Sequence, residues 1–130
     1  MSTRVLVADD SSFMRTIIVD VLHELGVTEI TQVADGREAA QAFRQGNIDL
    51  VILDWEMPHM SGVGVTKAIR ETGADIPIVM VTGVGMKKEH VVTAVHAGAT
   101  DYLLKPFEPS TLRKKLLKYC TIDTPDAVPA

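Results

Sequence analysis

Short apolar runs and amphipathic segments alternate five times along this chain. Val5 to Ala8 forms the first run. Ser11 or Ser12 then caps a helix through about Leu25, with Phe13, Ile17, Val21 and Leu25 at four-residue spacing, and Gly26 stops it. The second run is about Ile30 to Ala34. Asp35-Gly36 marks a turn, and Glu38 to Gln45 reads as a helix closed by Gly46. The third run, Leu50 to Leu53, ends at Asp54. A loop with Pro58 and Gly62 leads to a helix over about Val63 to Glu71. The fourth run is Ile76 to Val81, ending at Thr82. Lys87 to Ala97 reads as a helix stopped by Gly98. The fifth run, Tyr102 to Leu104, leads to Lys105-Pro106, and a last helix spans about Ser110 to Tyr119.

Runs one, three and four are almost wholly apolar, which fits strands covered on both faces. Strands alternating with helices predict an α/β fold: a doubly wound parallel sheet with right-handed crossovers. All strands of such a sheet point their C-terminal ends to one edge, where α/β proteins place their sites. The length of 130 residues suits one domain with a normal core, and a chain 46% hydrophobic and 23% charged is globular. Residues 122–130, with Pro125 and Pro129, have little that could pack and are expected to form a flexible tail. The single cysteine, Cys120, cannot close an internal disulfide, and no Cys/His spacing suggests zinc. A net charge of −4 speaks against nucleic acid as the main partner. No apolar run approaches about 18 residues, so no membrane insertion is expected. The N-terminus turns acidic too soon for a signal peptide, which favours a cytoplasmic setting.

The chemistry lies at the ends of the apolar runs. Asp9 and Asp10 follow the first, Asp54 the third, Thr82 the fourth and Lys105 the fifth. Each alone has an ordinary explanation, since Asp caps helices, Thr suits strands and Lys suits surfaces. Together at one sheet edge they form an acidic crevice. Three carboxylates there repel one another unless a divalent cation neutralises them, and oxygen ligands from two strand ends suit Mg²⁺. Thr82 and Lys105 could then contact a phosphate oxygen. The Lys105-Pro106 peptide is open to the cis form, which would bend the chain towards the crevice, or to an ordinary trans loop.

These residues and their order resemble the response-regulator receiver domain, the phosphoacceptor module of two-component signalling. The likeness covers about Arg4 to Cys120. It rests on Val-Leu-Val-Ala-Asp-Asp, on Asp-Trp-Glu-Met-Pro-His-Met-Ser-Gly beginning at Asp54, on Val-Thr-Gly after the fourth run, and on Asp-Tyr-Leu-Leu-Lys-Pro. The nearest type is the single-domain, CheY-like kind, with residues 1–121 as the receiver. The resemblance implies a five-stranded sheet of order 2-1-3-4-5 with five helices, an order that belongs to the CheY-like fold and is not read from the pattern itself. It implies that Asp54 accepts a phosphoryl group from a histidine kinase. Asp10, Asp54 and the backbone carbonyl of Glu56 would bind Mg²⁺, with Asp9 helping mainly through water. Thr82 and Lys105 would contact the phosphoryl group, and Tyr102 would be an aromatic switch that turns inward with Thr82. From its own residues, Tyr102 fits a half-buried strand tyrosine equally well. A downstream protein would dock on the fourth helix, fifth strand and fifth helix, and a phosphatase is a possible further partner. Chemotaxis or motility is a plausible setting. Such a domain assists its own phosphorylation and dephosphorylation but is not an enzyme for an external substrate.

Two features depart from the usual family pattern. Gly83 stands where Ala is frequent, and the loop Gly83-Val84-Gly85 is expected either to order on activation or to be a plain turn. Glu56 adds a fourth acid, so that with Asp9, Asp10, Asp54 and Lys105 the local formal charge would be −3. Its side chain would either strengthen metal binding or point into solvent. The basic residues Arg113, Lys114, Lys115 and Lys118 suit the dipole of the last helix or a partner-docking face. The four histidines show no ligand spacing.

Overall fold

In a computed structural model describing residues 3–83 and 88–120, strands and helices alternate strictly. The strands are β1 (Arg4–Ala8), β2 (Glu29–Val33), β3 (Leu50–Asp54), β4 (Ile78–Thr82) and β5 (Asp101–Leu104). The helices are α1 (Ser12–Glu24), α2 (Gly36–Gln45), α3 (Gly62–Glu71), α4 (Lys88–Ala97) and α5 (Pro109–Leu117). The sheet is parallel throughout, in the order β2-β1-β3-β4-β5, as the resemblance implied.

The continuous apolar runs follow from burial on two sides. Val5, Val7, Leu50, Ile52, Val79 and Val81 pack with α1 and α5 residues such as Ile18, Leu22, Leu112 and Leu116. Their neighbours Leu6, Ala8, Val51, Leu53, Ile78 and Met80 face the opposite way, against Ala39, Val65, Ile69 and Ala94 of α2, α3 and α4. Successive side chains on a strand point to opposite faces, so a strand between two helical layers needs apolar residues at every position. Each fully buried aliphatic side chain contributes about 1.5–3 kcal/mol. The edge strands β2 and β5 are more exposed, which explains their weaker pattern.

Capping sets the helix starts. The Ser11 hydroxyl accepts the Met14 N–H, Asp35 accepts the Glu38 N–H and Ser61 accepts the Gly64 N–H. The Asp35 cap lets α2 begin at Gly36, two residues before the expected start. Gly36 is dictated by close approach, because a Cβ there would run into the Met60 backbone carbonyl. Gly62 is similar: a Cβ would strike the carbonyl oxygen of Asp54 and the sulfur of Met80. The loop after β3 is thereby pressed against both the end of β3 and the start of α2. The start of β4 falls at Ile78 instead of Ile76, and α5 runs from Pro109, a favoured first-turn residue, to Leu117. The expected tail and the positions Val84 and Gly85 of the expected glycine loop lie outside the described residues. No helix among the described residues is long and apolar enough to cross a membrane.

Candidate functional site

Strand register assembles the site. Ala8 pairs with Leu53, Asp54 with Val81, and Thr82 with Leu104. The residue after β1 and the last residue of β3 therefore sit level, one step below Thr82, and Lys105 leaves β5 just beyond. The Lys105 backbone N–H donates to the Thr82 carbonyl at 2.7 Å, and the Lys105-Pro106 peptide is cis.

One carboxylate oxygen from each of Asp9, Asp10 and Asp54 lies within 4.8 Å of the other two. Asp9 is 1% exposed and Asp54 8%, while Asp10 opens to solvent. Asp9 is tightly used: Oδ1 accepts the Ser11 N–H at 2.9 Å, and Oδ2 accepts from Lys105 Nζ at 2.9 Å. Lys105 Nζ also lies 3.4 Å from Asp54 Oδ2. One ammonium group thus bridges two of the three acids.

That shortage of positive charge appears in the titration of Asp54. Burial and the nearby Asp9 carboxylate push its pKa up to about 6, while Lys105 and the Glu56 backbone N–H pull the other way. For Lys105, burial disfavours the charge, but the hydrogen bond to Asp9 and the negative charge of Asp54 outweigh it and hold the pKa above the ordinary value. Three carboxylates against one ammonium leave two negative charges uncompensated when all are ionised. Hard, all-oxygen donors with one open acid at the mouth fit a small divalent cation.

The structure thus brings together Asp9, Asp10, Asp54 and Lys105, with Thr82 buried at the same edge. The Glu56 side chain is exposed and is not a member of the carboxylate cluster. Tyr102 stands outward on edge strand β5, 38% exposed, with Lys115 Nζ 5.6 Å from its ring centroid. Trp55 meets the ring of His90 edge-on at 5.5 Å, which ties the residue after Asp54 to α4. Cys120 is buried, and burial pushes its thiol up to about 11, as befits an unreactive packing residue.

Three arrangements escaped the sequence reading. Asp101 accepts from Lys115 at 3.0 Å, from the Tyr119 hydroxyl at 2.7 Å and from the Tyr102 N–H at 2.8 Å. Asp35 accepts from or pairs with His59 Nδ1 at 3.1 Å across the loop contact described above. Arg15 Nη1 donates to the backbone carbonyl of Asp9 at 2.6 Å. Only the last left a local signal, since a cation near a helix N-terminus opposes the helix dipole and calls for a reason.

The family model described as "Response regulator receiver domain" matches residues 5–117. A chemotaxis protein CheY of Pseudomonas aeruginosa is 36% identical over 117 residues, covering 88% of this chain and 94% of that protein. Chemotaxis protein CheY-3 of Vibrio cholerae is 37% identical over 117 residues, covering 88% and 89%. Among solved structures, chemotaxis protein CheY4 of Vibrio cholerae superposes with a TM-score of 0.83 at 34% identity, covering 92% of this chain and 99% of that one. The receiver domain of the Francisella response regulator 1452 gives a TM-score of 0.81 at 28% identity, covering 90% and 95%.

Proposed function

The chain belongs to the response regulator receiver family, and on that premise we propose that Asp54 accepts a phosphoryl group from the phosphohistidine of a histidine kinase, with Mg²⁺ held beside it. The observation that carries this reading is the acidic cluster of Asp9, Asp10 and Asp54 spanned by a single lysine. With a pKa near 6, Asp54 is ionised at neutral pH and can act as a nucleophile. One of its carboxylate oxygens forms the new bond to phosphorus. The donor's P–N bond breaks, and its electron pair stays on the imidazole nitrogen. Lys105 Nζ, which lies between Asp9 and Asp54, would swing onto a phosphoryl oxygen and offset its charge. Thr82, one step beyond Asp54 in register, offers its hydroxyl to another.

Asp10, Asp54 and the Glu56 carbonyl would hold the metal directly, with Asp9 helping through water because its two oxygens already serve Ser11 and Lys105. The bound ion supplies positive charge that offsets the oxygens of the transferring group. Its two charges match the two left uncompensated by Lys105. The exposed Glu56 side chain favours a role for that residue through its backbone alone.

Phosphorylation adds about −1.5 to −2 units of charge and biases a two-state equilibrium. The outward Tyr102 would turn inward as Thr82 moves towards the phosphoryl group. The readout surface is the face of α4, β5 and α5, where Val92, Val95, Tyr102 and Leu104 are exposed apolar side chains. A downstream protein binds there, and a phosphatase can reset the state. The names of the curated relatives favour a role in chemotaxis or motility, in the cytoplasm with the kinase.

The test is incubation with Mg²⁺ and acetyl phosphate followed by intact mass. A single phosphoryl adduct is expected, absent in Asp54→Asn and without added metal. No adduct under any condition would overturn the reading.

A further inference from the structure

The turn between β1 and α1 closes on itself through three hydrogen bonds, two of which land on Asp9. The Ser11 N–H donates to Asp9 Oδ1 at 2.9 Å, the Arg15 N–H donates to the Ser11 carbonyl at 3.0 Å, and the Arg15 guanidinium reaches back to the Asp9 carbonyl at 2.6 Å. That carbonyl belongs to the peptide joining Asp9 to Asp10. Gripping it fixes the plane from which the Asp10 side chain leaves the backbone. Asp10 is the solvent-open member of the acidic cluster and therefore the one whose direction its own burial does least to set. Arg15 is itself only partly buried, so the contact is made at the mouth of the crevice, not in the core.

We propose that Arg15 is a positioning residue for the metal site, holding the Asp9–Asp10 peptide so that the Asp10 carboxylate faces the cation. The inference rests on the metal reading given under Proposed function. Its sign separates it from plain electrostatics. Arg15 is a cation close to a cation site, so by charge alone its removal strengthens Mg²⁺ binding. Positioning demands the opposite. Groups that orient metal ligands typically account for about 10–100-fold in affinity.

The experiment titrates the full chain with Mg²⁺ alone, followed by calorimetry and by Trp55 fluorescence, for wild type, Arg15→Met, Arg15→Lys and Asp10→Asn. Arg15→Met is expected to weaken Mg²⁺ binding about tenfold. Arg15→Lys, which keeps an N–H donor, is expected to recover most of the loss. Thermal melts in chelator should coincide for wild type and both Arg15 variants. The acetyl phosphate reaction of Arg15→Met should be slow at low Mg²⁺ and return to the wild-type rate at saturating Mg²⁺. Unchanged or tighter binding in Arg15→Met, no recovery in Arg15→Lys, or a rate that stays low at saturating Mg²⁺ each overturns the role of Arg15, provided Asp10→Asn binds weakly. If Asp10→Asn binds Mg²⁺ like wild type, the metal reading fails and this inference falls with it. Should Arg15→Met melt early, Arg15→Gln and Arg15→Lys carry the same comparison.

Discussion

Two acid–lysine clusters lie along β5, and one acid in each, Asp54 and Asp101, is shifted in the opposite direction from the other. Lys105 contacts Asp9 at 2.9 Å in the crevice, and Lys115 contacts Asp101 at 3.0 Å on the outer flank. In the crevice one ammonium serves Asp9 and Asp54 together, and burial with mutual repulsion lifts Asp54 to about 6. On the flank, burial also disfavours the Asp101 charge. The Tyr119 hydroxyl, Lys115 and the Tyr102 N–H outweigh it and hold Asp101 below the usual carboxylate range. Tyr119 in turn is pushed up to about 12, by burial and by that same carboxylate. The difference lies in donors per carboxylate. A satisfied acid stabilises the fold, whereas an under-neutralised cluster stores the demand for a cation that a receiver uses.

The comparison is tested most strongly at Asp54. Folding raises its pKa, so its contribution to stability is full below the ordinary value of 3.8 and is lost as pH rises through about 6. In chelator at pH 7.5, Asp54→Asn is therefore expected to be more stable than wild type by about 1–2 kcal/mol, allowing for solvent screening. Urea unfolding at a series of pH values checks this, and the gain should fade between pH 6 and 4. Equal stability of the two proteins at pH 7.5 would break the contrast.

A smaller effect of opposite sign is expected at Asp101. Its pKa is depressed, so its stabilisation is present above 3.8 and lost as pH falls through the lowered folded value. Asp101→Asn should cost about 1 kcal/mol at neutral pH, because several donors lose a charged acceptor. The deficit should shrink in acid, read by the same unfolding curves. The smallest effect belongs to a pair outside both regions. Arg113 and Glu24 are exposed on both sides, so Arg113→Gln is expected to change stability by less than about 0.5 kcal/mol at any pH. A larger shift would mean that surface pairs rival the two regions compared.

Much of the site was legible along the chain because the signal is local. An apolar run that ends in Asp, Thr or Lys marks a strand end, and parallel strands bring their ends to one edge. Side-chain pairing between elements was less legible. The local sequence suits Glu56 equally as a fourth acid of the crevice or as a solvated loop side chain, and only the fold shows it exposed. The basic residues of α5 suit the helix dipole or a docking face, and the pattern does not show that Arg113 pairs with Glu24 and Lys115 with Asp101. Nothing in the local pattern joins Asp101 to Tyr119 or Asp35 to His59, since such contacts depend on how elements pack.

By itself the sequence determined the alternation of elements, which strands are buried on both faces, a serine cap at Ser11 or Ser12, and the set of residues at the carboxyl edge. Burial, capping and side-chain period act over a few residues, so they are written locally. Only the tertiary structure decided that Lys105 lies closer to Asp9 than to Asp54, that Asp54 is the acid driven upward, and that Arg15 grips the peptide between the two acids. Charges interact through distance and solvent exposure, and Asp9 meets Lys105 across 96 positions of chain through sheet register alone.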